Sequence, residues 1–135
     1  MEIAALQATL ERVAAPFVLG LGLRVTGAEG ERVTLTLPVT PALVHSGGVV
    51  CGQALLAAAD TAMIVALSAT AEGFRPMTTV QLQTSFLRPI PRDSEEVLLT
   101  ARILRRGKSL AFGEISVRTA DGKLAAQSTT TYALL

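Results

Sequence analysis

Residues 45–67 read HSGGVVCGQALLAAADTAMIVAL, an apolar run with a single carboxylate, Asp60, near its middle. An ionised side chain withdrawn from water costs several kcal/mol unless it is paired or hydrogen-bonded. Arg32 is the only Lys or Arg between Gly27 and Phe74, so no helical neighbour can neutralise Asp60. The stretch from Val49 to Ala71 holds 17 apolar residues in 23, many of them Ala, and no Pro. Its length would suffice to span a bilayer. Gln53 and Asp60 lie inside it, however, and no Lys or Arg anchors flank it. An all-round apolar helix of this kind belongs in a core, so a soluble chain with one wholly buried helix is expected. Asp60 is then either held by backbone or Thr groups for structural reasons, or it is the reason the segment exists.

The flanks are strand-like. Towards the N-terminus, Val33-Thr34-Leu35-Thr36-Leu37 alternates as a half-buried strand ending near Pro38. Residues 21–26 form the strand before it, with Ala28 to Glu31 as the turn. Residues 2–14 place Ile3, Leu6, Leu10 and Val13 at helical spacing, and Pro16 ends that helix. Pro41 to Gly48 is a loop. Beyond the helix, Ala71-Glu72-Gly73 is the break, with Pro76 following. Four strands come next: Thr79 to Leu87, Val97 to Leu104, Leu110 to Arg118 and Leu124 to Tyr132. Arg106-Gly107 and Asp121-Gly122 mark hairpins between the last three. Strand runs around one central helix indicate an α+β fold in which the sheet curls around the helix. One sheet covers such a helix incompletely, which points to a dimer.

The totals narrow the function. At 135 residues, the chain reads as a single domain over residues 1–135. Half the residues are apolar and 17% are charged, which excludes disorder. A net charge of +1 gives no field that favours nucleic acid or an anionic membrane. One Cys and one His exclude an internal disulfide and the usual zinc constellations, so no metal is expected. Glu2 and Glu11 stand where a secretory signal would be basic. These features fit a reducing cytoplasm.

Gly52 falls in the first turn of the long helix and Asp60 two turns further on. Helix N-termini offer unpaired N–H groups and partial positive charge, which suit an acyl-transfer oxyanion. Glycine there lets a carbonyl approach the backbone. A carboxylate in an apolar setting suits a general base, and it can also attack directly. Eight residues at ~1.5 Å each separate the two positions by about 12 Å along the helix axis. One carbonyl cannot touch both, so a shared site needs Asp60 from a second chain across a two-fold axis.

The segment resembles the motif of hotdog-fold acyl-CoA thioesterases of the phenylacetate-pathway type. That motif runs Asn-x-x-Gly-x-x-His-Gly-Gly, six residues, then Asp. Here it reads His45-x-x-Gly48-x-x-Cys51-Gly52-Gln53, then Ala54 to Ala59, then Asp60. TTVQLQTSFLRPIP, from Thr78 to Pro91, resembles the family's following strand and its Arg/Pro exit. The resemblance implies a hotdog fold, a curved antiparallel sheet wrapped around one long helix, with a short N-terminal helix. It implies that Gly52 polarises the thioester carbonyl and that Asp60 activates water or attacks. Thr79 would orient the water or the carboxylate, and His45 would support the thioester side. Gly48, Cys51 and Gln53 would line the substrate. Cys51 and His45 depart from the motif, which has His and Asn there.

Coenzyme A, as part of the substrate, carries phosphates, so Arg or Lys should rim the site. Arg88 with Arg105, Arg106 and Lys108 forms the preferred patch, and Arg92 is a further candidate. Met63, Leu67 and Phe74 are candidate pocket walls, which favours a small to medium aliphatic or aromatic acyl group. No separate cofactor is expected. The expected assembly is a homodimer, paired into a dimer of dimers. Other readings are a noncatalytic acyl-CoA-binding protein and an acyl-thioester hydratase or dehydratase.

Overall fold

A computed structural model describes residues 2–70 and 72–135. Helices α1 (Ile3–Val13) and α2 (Pro16–Leu19) lead into strands β1 (Arg24–Glu29) and β2 (Arg32–Pro38). A single 3₁₀ turn (Pro41–Leu43) precedes the long helix α3 (Gly52–Ser68). Strands β3 (Met77–Phe86), β4 (Glu96–Arg106), β5 (Leu110–Thr119) and β6 (Leu124–Leu134) complete the chain. All six strands form one antiparallel sheet in the order β1-β2-β4-β5-β6-β3. The sheet wraps α3, giving the α+β architecture that the sequence implies.

Helix α3 forms because its interior is Ala-rich and lacks Gly and Pro after Gly52. Its two buried hydroxyls are satisfied within the helix: Thr61 Oγ1 donates to Ala57 O (2.8 Å) and Ser68 Oγ to Ile64 O (2.7 Å). At its C-terminal end, Arg106 Nη1 donates to Leu67 O at 3.0 Å, a cation where the helix dipole is negative. Ala58, Ala59, Ala62 and Ala66 are buried against the sheet beside Leu35, Leu99 and Ile115. Small side chains let helix and sheet approach closely, and Gly113 on β5 extends that rule. A methyl group there would overlap Met63 Cε and stand 2.8 Å from its sulfur and 3.0 Å from Arg102 O. Gly113→Ala is therefore expected to destabilise the fold by about 1–3 kcal/mol. Thermal unfolding checks this, and an unchanged Tm would show that Met63 has room to move.

Three expectations need correction. First, residues 21–23 are not strand, because Gly22 takes a φ of +77° and breaks the extended run. The strand starts at Arg24, although Leu21 and Leu23 are both buried. Pro16 ends α1 but also opens α2 as its first residue, a position where its missing N–H costs nothing. Second, the long helix stops at Ser68, before the expected break. Of that break, Ala71 lies outside the described residues. Third, α3 is not wholly buried within one chain, which agrees with the incomplete cover expected of a single sheet. Gln53 is exposed, and Leu56, Ala57, Asp60 and Ile64 are half-buried, forming one stripe at three- and four-residue spacing. One curved sheet cannot close around a helix, and Asp60 sits on the face left open.

The two sheet edges differ. β1 carries Arg24 and Glu29 and packs beside α1. β3 has no charged residue and no Pro over ten residues, and Val80, Phe86 and the adjoining Leu87 are exposed. Among the described residues, no helix is long and apolar enough to cross a membrane.

Candidate active site

At the N-terminal end of α3, Cys51 is extended and caps the helix, its N–H donating to Leu43 O at 2.8 Å. The next two N–H groups, of Gly52 and Gln53, find no acceptor among the described residues. The Phe86 ring lies over Gly52, its nearest atom 3.3 Å from where a β-carbon would stand. Beside them runs a mostly apolar groove of about 340 Å³, lined by Val50, Gly52, Leu55, Phe86 and Ile90, with Arg88 on its wall. Unpaired amide N–H groups at the end of an apolar groove can donate to a carbonyl oxygen and polarise it.

The preceding loop is held by an isolated bridge between Val44 and Val50 and another between Val49 and Pro91. Gly48 needs its φ of +82°, which favours glycine, to close the tight turn through its N–H to His45 O (2.9 Å). His45 is exposed, and its Nδ1 accepts the Gly47 N–H at 2.9 Å. That bond leaves Nε2 as the outward-facing nitrogen. His45 shares a cavity of about 460 Å³ with Val44, Ser46, Gly48 and Arg92. No contact joins it to Asp60 within one chain.

Two turns into α3, the Asp60 carboxylate is held by hydroxyls from two strands. Thr79 Oγ1 donates to it, 2.9 Å from Oδ1 and 3.1 Å from Oδ2. The Tyr132 hydroxyl makes a short hydrogen bond to Oδ1 and lies 2.9 Å from the Asp60 backbone O. Thr79 and Tyr132 are direct cross-strand partners, so the β3–β6 register delivers both hydroxyls to one carboxylate. A bulge follows Thr79, where strand distortions commonly re-aim a side chain. Thr79 and Asp60 are open to solvent to different degrees, whereas Tyr132 is only 1% exposed. Burial first, then hydrogen bonding to Asp60, push the Tyr132 phenol far above its ordinary pKa; Thr79 opposes them, and the charge of Asp60 adds a smaller push upward. The phenol therefore stays protonated and remains a donor.

The expected basic patch is not one cluster in a single chain. Arg88 sits beside the start of α3, while Arg106 reaches its end. Sixteen rises of ~1.5 Å separate those ends by about 24 Å. Arg106 is also committed to Leu67 O and lies 3.7 Å from Glu72, so it serves the helix terminus. Arg105 and Lys108 remain near that end, on β4 and the following turn. Met63 and Leu67 are fully buried on the sheet side of α3, so they are core and not pocket wall. Arg12 lies over the Phe74 ring at 5.8 Å. Among the described residues, no three His, Cys, Asp or Glu side chains group as a metal site. Tyr132 went unmarked in the sequence. Its one signal is being the chain's only Tyr, within a strand otherwise made of Ala, Ser, Thr and Leu with one Gln.

A family model described as the thioesterase superfamily matches residues 47–126, which include Gly52, Asp60 and Thr79 but not Tyr132. The chain belongs to the thioesterase superfamily. A protein of Thermoplasma volcanium whose name proposes an esterase is 35% identical over 107 residues, 78% of this chain and 77% of that one. A phenylacetic acid degradation-related protein of Ralstonia eutropha, described as a candidate thioesterase, is 27% identical with a TM-score of 0.81. The match covers 96% of this chain and 98% of that one. A Haemophilus influenzae thioesterase shares the fold at 22% identity and a TM-score of 0.87, over 100% of this chain and 91% of that one. This thioesterase thus has the hotdog fold of the phenylacetate-pathway type and is a thioester hydrolase.

Proposed function

We propose that the protein hydrolyses small to medium acyl-CoA thioesters at sites shared between two protomers. The observation that carries this reading is the Asp60 carboxylate, held by Thr79 and Tyr132 on the open stripe of α3. Its distance from the free Gly52 N–H group, about 12 Å along the axis, supports sharing. The exposed β3 edge supports a second copy as the partner, because a long edge strand without charge or Pro, with Val80 and Phe86 exposed, pairs readily. Thr79, near the start of β3, lies beside Asp60, and Phe86, at its end, lies beside Gly52. Antiparallel pairing of β3 with its own copy therefore sets Asp60 of one protomer towards Gly52 of the partner subunit.

In such a site, the Gly52 N–H group and the helix dipole polarise the thioester carbonyl and stabilise its oxyanion. Asp60 takes a proton from water as the water oxygen bonds to the carbonyl carbon. Collapse breaks the C–S bond, and the proton passes to the departing sulfur, leaving a free acid and coenzyme A. Direct attack by Asp60 would give a mixed anhydride that water then cleaves; both routes need the carboxylate. Arg88, and Arg92 beside His45, are the basic groups near the groove that suit coenzyme A phosphates. No cofactor takes part, and the free thiol of Cys51 accords with the cytoplasm.

Thiol release from a panel of acyl-CoAs tests the reaction. Free coenzyme A is expected to appear with aliphatic or aromatic acyl groups that the groove can hold. Saturable binding of those substrates without thiol release would instead establish an acyl-CoA-binding protein.

A further inference from the structure

We infer that Tyr132 is a positioning residue for the hydrolysis: its buried hydroxyl fixes Asp60 Oδ1 and leaves Oδ2 as the oxygen that works on the substrate side. This rests on the reading of Asp60 as the reacting carboxylate. Tyr132 and Thr79 both reach Oδ1, whereas the contact to Oδ2 is the longer one from Thr79 alone. The phenol has one proton to give. Between a carboxylate oxygen and a helix carbonyl, the charged acceptor is the stronger one. The backbone O at 2.9 Å shows how closely the ring is pinned to the helix. A side chain 1% exposed at the floor of the site has no room to swing away. Thr79, on the exposed edge strand, lacks that constraint. Two hydroxyls on one oxygen thus differ in role: Thr79 stands on the open side and Tyr132 sets the carboxylate's angle from below.

The surroundings leave the hydroxyls of Tyr132 and Thr79 as the side-chain groups that hydrogen-bond to the Asp60 carboxylate within the chain. α3 carries no other charged residue, β3 has no charged residue, and β6 contributes no titratable group besides Tyr132. On the other elements packed against α3, the charged groups are Glu11 and Arg12 (α1), Arg32 (β2), Glu96, Arg102, Arg105 and Arg106 (β4), and Glu114 and Arg118 (β5). None makes a hydrogen bond or ion pair to Asp60. Arg32, Arg102, Glu114 and Arg118 line a groove on the other face of the sheet, and Arg106 serves Leu67 O. A hydrogen bond to the charged form of a carboxylate favours that form. Loss of the phenol therefore removes a hydrogen bond that favours the charged carboxylate.

Tyr132→Phe removes one oxygen and keeps the packing. It is expected to lower kcat roughly ten- to hundred-fold with KM within a few-fold, the scale of one lost hydrogen bond to a charged group. The acidic limb of the kcat–pH profile should move to higher pH. A role confined to packing predicts a lower Tm with an unmoved acidic limb and nearly parental kcat, and that result overturns the inference. Asp60→Asn in parallel separates the two readings. If that variant turns over normally, the assignment of Asp60 fails; if it is inactive while Tyr132→Phe matches the parent in rate and pH profile, only the Tyr132 inference fails.

A second measurement does not depend on the Phe variant folding. The chain has one Tyr and no Trp, so tyrosinate absorbance reports on Tyr132 alone. In the parent it should rise only with alkaline unfolding. In folded Asp60→Asn it should rise at lower pH, since the negative charge beside the phenol is gone. Coincident titrations of the two proteins would show that Tyr132 does not engage the carboxylate.

Discussion

Asp60→Asn is expected to lower kcat by about a thousand-fold while leaving KM within a few-fold, the pattern of a lost general base or nucleophile. The substitution isolates chemistry from folding. Asn has nearly the shape of Asp, and its Oδ1 can still accept from the Thr79 and Tyr132 hydroxyls that hold Asp60. Asp60 makes no ion pair with any described group, so no stranded cation is left behind. Melting temperature should therefore change little while turnover collapses. The amide can neither take a proton from water nor attack a carbonyl, so both routes fail together. Steady-state thiol release with circular dichroism on the same preparation reads both quantities. A folded Asp60→Asn protein with near-parental kcat would remove Asp60 from the chemistry and with it the proposed mechanism.

Asp60 was legible because it is a lone charge in a local pattern. A carboxylate without a cation within helical reach is visible from the segment itself, as is Gly52 at the helix start. Alternation in β2 and the Asp-Gly turn before β6 were likewise local signals, and those elements fall where they were expected. What stayed hidden depends on register or on curvature. Tyr132 is 72 residues from Asp60 and reaches it only because β6 pairs with β3 so that Thr79 faces Tyr132. Nothing in the spacing of either strand fixes that register. The half-open stripe of α3 reflects how far one sheet can wrap, so apolar composition alone overstated its burial. The spread of the basic residues within one chain was hidden for a related reason. Arg88 and Arg106 are both near strand ends, but at opposite ends of α3, and Arg106 is spent on a helix terminus. Leu21 and Leu23 alternate as a strand would, yet Gly22 between them bends the chain.

Co-expressing two inactive variants is expected to restore activity. Gly52→Val places a branched side chain where the carbonyl must approach, against the Phe86ring whose nearest atom already stands 3.3 Å from a β-carbon. With Phe86 exposed, the ring can yield, so the fold should survive while thioester access is lost. Each variant alone carries one defect in every site of its homodimer. In a mixed dimer with shared sites, one site combines Gly52 from the Asp60→Asn chain with Asp60 from the Gly52→Val chain and is intact. The other site carries both defects. Random pairing makes half the dimers mixed with one working site each, so about a quarter of parental kcat should return. Differential tags allow the mixed dimer to be purified, where the figure should rise to about half, as two-fold symmetry requires. If each site were built from one chain, every site in the mixture would keep one defect and the preparation would stay as inactive as its parents. A mixed dimer that forms but does not turn over would place Gly52 and Asp60 in separate roles despite their common helix.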